Sequence, residues 1–299
     1  METLIIFLFQ MIPLAIVFNL PILIVILKKK LLTVPIGIVV AASLGIIFFI
    51  IQPFFWFALI VFFFSSSLLS KLKVEEKSNI TVDFEKGSAT RDAIQVLANG
   101  LIPLLFVCGY AISEILPQLV NSTIPIHNPY NPYFMGVFTA FAVHNADTWA
   151  TEIGILSKKA PRFITNLREK VPPGTSGGVT IDGFLASILG GALLAITYLI
   201  AAILISPSLI LIEEIIINVV LIIAGGFTGS LLDSIEGATI QGIFYCNHCN
   251  KETESNPHPR CGNETALKRG NIWINNDFVN LTSALVVTII ILLFISISF

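Results

Sequence analysis

His144, Asp147, Thr148, Thr151 and Glu152 recur at i, i+3, i+4, i+7 and i+8 inside an otherwise apolar run, a spacing that puts them on one helical face. A charged side chain at membrane depth costs roughly 2.5–3.5 kcal/mol on insertion scales, so carboxylates there ask for a function. Flanked by hydroxyls, Asp147 and Glu152 suit a hard cation, and they are the candidate Mg²⁺ ligands, shared with a substrate phosphate. The plainer reading is a polar seam that bonds neighbouring helices, and His144 fits it best.

A glycine-rich turn follows, Val171-Pro-Pro-Gly-Thr-Ser-Gly-Gly-Val-Thr180. Gly174, Gly177 and Gly178 let backbone N–H groups turn toward an anion, and Thr175 and Ser176 add hydroxyl donors. The helix beyond would present its N-terminus to that anion. The turn is not a Walker A loop, because the Gly-Lys-Ser/Thr ending is absent. Just before it stand Lys158, Lys159, Arg162, Arg168 and Lys170. Arg162, Lys158 and Lys170 are candidate phosphate partners, although all five could serve topology alone.

Further stripes occur at the polar ends of other apolar runs: Asp92, Gln95 and Asn99; Ser230, Asp233, Ser234, Gly237 and Gln241; Asn276, Asn280 and Ser283. Each alone could be a helix cap or a seam, and Asp182 in particular suits an N-cap. Together they aim oxygen-rich faces at one side of one membrane. Cys246, Cys249, His258 and Cys261 form C-x2-C-x8-H-x2-C in the last polar segment, 242–275, a ligand set suited to a structural Zn²⁺ with His248 as a competing nitrogen donor.

The elements that must position these residues are membrane helices. Hydrophobic residues make up 55% of the chain and charged residues 12%, with a mean hydropathy of +0.87. Spans are expected over 3–27, 31–51, 54–70, 93–118, 134–156, 182–205, 209–233 and 277–299, giving an all-α bundle without a separate soluble domain. The first run lacks a basic leader and a cleavage site, so it is read as a retained span. All 17 Lys and Arg fall within 28–30, 71–91, 158–170 and 251–269, which are alternate loops of this scheme. The positive-inside rule makes those loops cytoplasmic and both termini external, with 74–90 a flexible cytoplasmic loop. No nucleic-acid partner is expected from this distribution.

Several runs together resemble one family. They are Arg91-Asp-Ala-Ile-Gln-Val-Leu-Ala-Asn-Gly100, Asp147-Thr-Trp-Ala-Thr-Glu-Ile-Gly154, Pro172-Pro-Gly-Thr-Ser-Gly-Gly-Val179, Asp233-Ser-Ile-Glu-Gly-Ala-Thr239 and Asn275-Asn-Asp-Phe-Val-Asn280. They look like the motifs of the transmembrane protein 19 and plant phytyl-phosphate kinase family, in order over nearly the whole chain. The cysteine-containing insert resembles prokaryotic members, which implies a prokaryotic cell membrane. The resemblance implies a kinase that uses CTP to convert an isoprenyl monophosphate to the diphosphate. More distantly the chain is similar to dolichol kinase, phytol kinase and CDP-diacylglycerol synthase, which also use CTP. On that reading Asp147, Glu152 and Asp233 are catalytic, and Asn99, Thr148, Lys158, Arg162, Lys170, Gly174–Gly178, Asn276 and Asn280 bind nucleotide or phosphate. A cytidylyltransferase needs the same parts. A lipid transporter would instead show polar groups through the membrane's depth.

Overall fold

The computed structural model describes residues 2–32, 35–73, 75–77, 92–121, 123, 125–207 and 212–298. Arg91 and most of the expected loop 74–90 lie outside the described residues. Eight long helices occur among them: α1 (Glu2–Lys29), α2 (Ile36–Ile51), α3 (Pro53–Lys71), α4 (Ala93–Val120), α5 (Pro132–Gly154), α6 (Ile181–Ile205), α7 (Ile212–Thr239) and α8 (Asn276–Ser298). α4 is continuous through a π-helical turn at Ala111–Ile115. Six of them, α1, α3, α4, α6, α7 and α8, are long and apolar enough to cross a membrane. α2 is apolar but has only 16 residues, and the polar residues of α5 keep it out of that set.

Local signals explain where the helices begin. Gln52 and Asn131 accept from Phe54 N–H and Tyr133 N–H, each just before a proline at the first helical position. Asp92 and Gln95 close a reciprocal capping box on α4. On α6 the cap is Thr180, which accepts from Gly183 N–H at 3.0 Å. Asp182, the expected cap, instead sits in the first turn and accepts from Ser157 Oγ at 2.7 Å.

α5 is the centre of the bundle and packs against α3, α4, α6, α7 and α8. Every residue from Phe134 to Ala146 is buried. Aromatic side chains fill one half of this core; Phe55 lies 4.9 Å from Phe134 and Phe138 lies 5.6 Å from Tyr198 between ring centroids. Small residues build the other half. A Cβ added at Gly226 of α7 would lie 3.0 Å from Gly191 Cα and 3.1 Å from Ala142 O, so α5, α6 and α7 meet almost backbone to backbone.

The chain is mostly helical rather than purely so. The polar loops hold two three-stranded antiparallel sheets. One is ordered β2-β1-β3, from β1 (Arg162–Phe163), β2 (Asn166–Lys170) and β3 (Gly178–Val179). The other is ordered β5-β4-β6, from β4 (Ile243–Cys246), β5 (Lys251–Thr253) and β6 (Ala266–Arg269).

Bonds between the basic loops gather them at one end of the bundle. Lys71 Nζ donates to Lys29 O at 2.8 Å, and Arg269 Nη2 donates to Ser176 O at 2.8 Å. Lys77 Nζ reaches Glu152 Oε2, near the end of α5, at 2.6 Å. Residues 125–131 lie at the opposite end, where Tyr198 OH donates to Pro129 O.

Candidate active site

At the basic end, α5, α6 and α7 and the glycine turn line a cavity of about 70 Å³ that opens to solvent. Asp147 and Thr151 line it from α5, and Ser230, Asp233 and Ser234 line it from α7. Gly174 to Gly178 form its rim, and Thr180, the cap of α6, opens into it. Thus the structure brings together two carboxylates, several hydroxyls, a glycine turn and a helix N-terminus. Asp147 is half-buried, whereas Asp233 is 3% exposed.

The turn is held in place by bonds that sequence reasoning did not find. Gly174 and Gly177 have φ of 89° and 84°, the left-handed region open to glycine. A Cβ at Gly177 would also fall 2.5 Å from Ala238 Cβ, so the turn lies directly on the end of α7. Ser176 Oγ donates to Gln241 Oε1 at 2.8 Å, which makes that hydroxyl an anchor for the turn instead of the expected donor to an anion. Arg269 completes the clamp. Its Nη1 donates to Gly237 O and Ala238 O, both at 2.7 Å, while Nη2 takes Ser176 O.

Glu152 is placed differently from the expected metal ligand beside Asp147. It points to α3, accepts from Ser70 Oγ at 2.6 Å and pairs with Lys77 Nζ at 2.6 Å. Both charged side chains are nearly buried, 11% and 5% exposed. The same side of α5 carries Asn145, fully buried, which the sequence reading passed over. Its Oδ1 accepts from Ser65 and Ser66, and its Nδ2 donates to Gly190 O at 2.8 Å, tying three helices together. An amide inside a long apolar run was the available signal. Thr148 returns its hydroxyl to His144 O at 2.9 Å and does not line the cavity.

The remaining candidates are dispersed. Asn99 lines an apolar groove among α1, α2, α3 and α4. Asn276 and Asn280 lie in the first turns of α8 and are not among the cavity's lining residues. Lys158 is exposed, and Arg162 Nη1 donates to Leu167 O at 2.6 Å, closing the β1–β2 hairpin. Lys170 borders a second cleft of about 720 Å³, which Lys251 and Lys268 also line and which shares Thr175 with the cavity.

In the last polar segment, one ligand atom from each of Cys246, Cys249, His258 and Cys261 lies within 4.8 Å of all the others. His248 is exposed on the rim, 3.8 Å from Cys249 Sγ. The cysteines of this cluster are free thiols. Hydrogen bonds from the Asn263 backbone, and then from His258, lower the Cys261 thiol pKa to about 6, while the hydrogen bond with Cys261, and then burial, raise that of Cys249 to about 11.

The sequence matches the family described as Integral membrane protein DUF92 over residues 17–288. The chain belongs to this family. Membership agrees with the resemblance carried by the motifs above. The DUF92 chain is 32% identical to Protein PGR of Arabidopsis thaliana over 61% of its own length and 63% of that protein. It is 34% identical to an uncharacterized membrane protein of Methanocaldococcus jannaschii, over 61% of its length and 64% of that protein. The chain thus spans a little under two thirds of the length of these curated relatives. No solved structure matches it.

Proposed function

We propose that this DUF92 protein is a kinase that uses CTP and Mg²⁺ to convert an isoprenyl monophosphate to the diphosphate. The observation that carries this reading is the cavity where Asp147 and Asp233 stand opposite the glycine turn. Carboxylates on two neighbouring helices, with the Thr151, Ser230 and Ser234 hydroxyls around them, form the hard-oxygen set that Mg²⁺ takes together with substrate phosphates. Asp147 and Asp233 would hold the ion, whose contribution is to neutralise charge on the transferring phosphoryl group.

The chain's own residues supply the positioning. Thr175 N–H and Gly178 N–H close the turn on Pro172 O and Thr175 O. The N–H groups of Gly174, Ser176 and Gly177, with the N-terminus of α6, therefore receive the nucleotide phosphates. The second cleft, bordered by Lys170, gives the nucleoside room. An oxygen of the lipid phosphate attacks the γ-phosphorus, the bond to the β–γ bridging oxygen breaks, and CDP leaves with the electron pair. The attacking oxygen is already anionic near neutral pH, so the step needs no general base. The polyprenyl tail stays in the bilayer beside the helices.

Purified protein incubated with Mg²⁺, labelled CTP and a panel of prenyl monophosphates tests this directly. CDP and a prenyl diphosphate are the expected products. Pyrophosphate with a CDP-lipid would assign the chain to cytidylyl transfer, and no turnover on any lipid would overturn the enzymatic reading.

The same reading gives the helices eight crossings with the basic end in the cytoplasm, on the positive-inside rule. Cysteines placed at Asn128 and at exposed Lys73 then lie on opposite sides. An impermeant maleimide applied to intact cells should label Asn128→Cys, and should label Lys73→Cys only after permeabilisation, each against the unsubstituted protein. Labelling of both in intact cells contradicts that topology. Lys77, within the expected loop, is unsuitable because it is buried in its ion pair.

A further inference from the structure

We infer that Cys246, Cys249, His258 and Cys261 bind a structural Zn²⁺ whose task is to hold Arg269, and through it the glycine turn, in place. The ligand geometry comes first. Tetrahedral zinc with Zn–S near 2.3 Å and Zn–N near 2.0 Å separates its ligand atoms by about 3.5–3.8 Å. Cys246 Sγ and Cys261 Sγ are 3.6 Å apart, within that range, and His258 Nδ1 is 3.1 Å from Cys261 Sγ, so the ring would move outward slightly to take the ion. An S–S bond would need about 2.05 Å, and three thiols at one point leave an odd one in any pairing. Cys246 and His258 are fully buried. Four protein ligands close the coordination sphere, which is the arrangement of a structural site.

The module also needs a staple. Its strands have four, three and four residues, too few to build a core of their own. β4 ends at Cys246 and pairs with β6 in the register Ile243↔Arg269 and Phe244↔Leu267. Fixing Cys246 therefore fixes β6 and its last residue, Arg269. Gly270 follows with φ 73°, packed so closely on Gln241 O that no side chain fits there, which pins the chain beside the guanidinium. From this position Arg269 bonds Ser176 O on the turn and Gly237 O and Ala238 O on α7. The metal thus lies outside the cavity yet sets the geometry of its rim. Arg269 is a positioning residue, acting through the turn.

This inference deepens the reading of the turn as a phosphate cradle, but its readouts do not depend on any activity. Elemental analysis of the purified protein should give one zinc per chain. Co²⁺ exchanged into the site should show the visible absorption of a thiolate-bound tetrahedral ion. Stripping the metal from wild-type protein should speed backbone hydrogen exchange across 174–178 at least tenfold, leaving the middle of α5 protected, and zinc re-addition should reverse it. Arg269→Gln should keep its zinc and show the same acceleration. Arg269→Lys, which retains the charge but loses the fork, should fall between. Wild-type protein without a metal, or exchange at the turn that ignores both stripping and Arg269→Gln, overturns the proposal. Failure of the kinase reading alone leaves each of these results unchanged.

Discussion

Asp147→Asn should remove nearly all turnover, a hundredfold to a thousandfold loss, while the melting temperature in detergent stays the same or rises slightly. Asn preserves the shape of the side chain and one oxygen, but it withdraws the negative charge that would offset the proposed Mg²⁺ at the cavity wall. A few kcal/mol of transition-state stabilisation disappear with it, at roughly 1.4 kcal/mol for each factor of ten. Folding loses little, since Asp147 is half-buried at the cavity wall and its ionised form is costly there. A purely structural carboxylate predicts the reverse, a lower melting temperature with turnover per folded molecule retained. Both quantities should be measured on one preparation, and near-normal turnover in Asp147→Asn would retire the residue as a metal ligand.

The largest effect on stability is expected at Lys77. Lys77→Met takes the ammonium away from Glu152 among buried neighbours and leaves Ser70 as its partner among the described residues. Removing one partner of a buried ion pair costs about 3–5 kcal/mol, whereas removing both charges is often nearly neutral. Lys77→Met should therefore lower the melting temperature sharply, and Lys77→Met combined with Glu152→Gln should recover most of it. This cycle separates Glu152 from Asp147, because Glu152→Gln with Lys77→Met should retain turnover. If Lys77→Met melts like the wild type, the pair contributes nothing to the fold.

The helices were legible because hydropathy and length determine them directly; the expected run 182–205 lies within a residue of Ile181–Ile205. α7 runs six residues beyond its expected end at 233, to Thr239, because a helix in contact with protein needs no apolar surface there. Around α5 the pattern was read too broadly. Asp147 and Glu152 are five residues apart, about 140° around a helix, so one stripe of polar residues served two different neighbours. The first sheet left little trace, since β2 is Asn-Leu-Arg-Glu-Lys, exposed at every position, and carries no alternation. Arg269 was hidden for another reason. It looked like one more basic loop residue, and its partners are backbone carbonyls, which no side-chain pattern marks.

The enclosure of α5 has a consequence for how the chain is made. With an amide, an imidazole and two carboxylates along its length, α5 is a poor candidate to enter lipid alone. Its partners on one side, Ser65, Ser66 and Ser70, belong to α3 and are already synthesised when α5 emerges. The other side waits for α6 and α7, which come later. Biogenesis can therefore satisfy Glu152 and the Asn145 carbonyl retrospectively, against a helix in place, while the Asn145 Nδ2 waits for Gly190 O of α6 and Asp147 remains exposed until the following hairpin arrives. The site is the last part of the central helix to leave water, and it never leaves it completely.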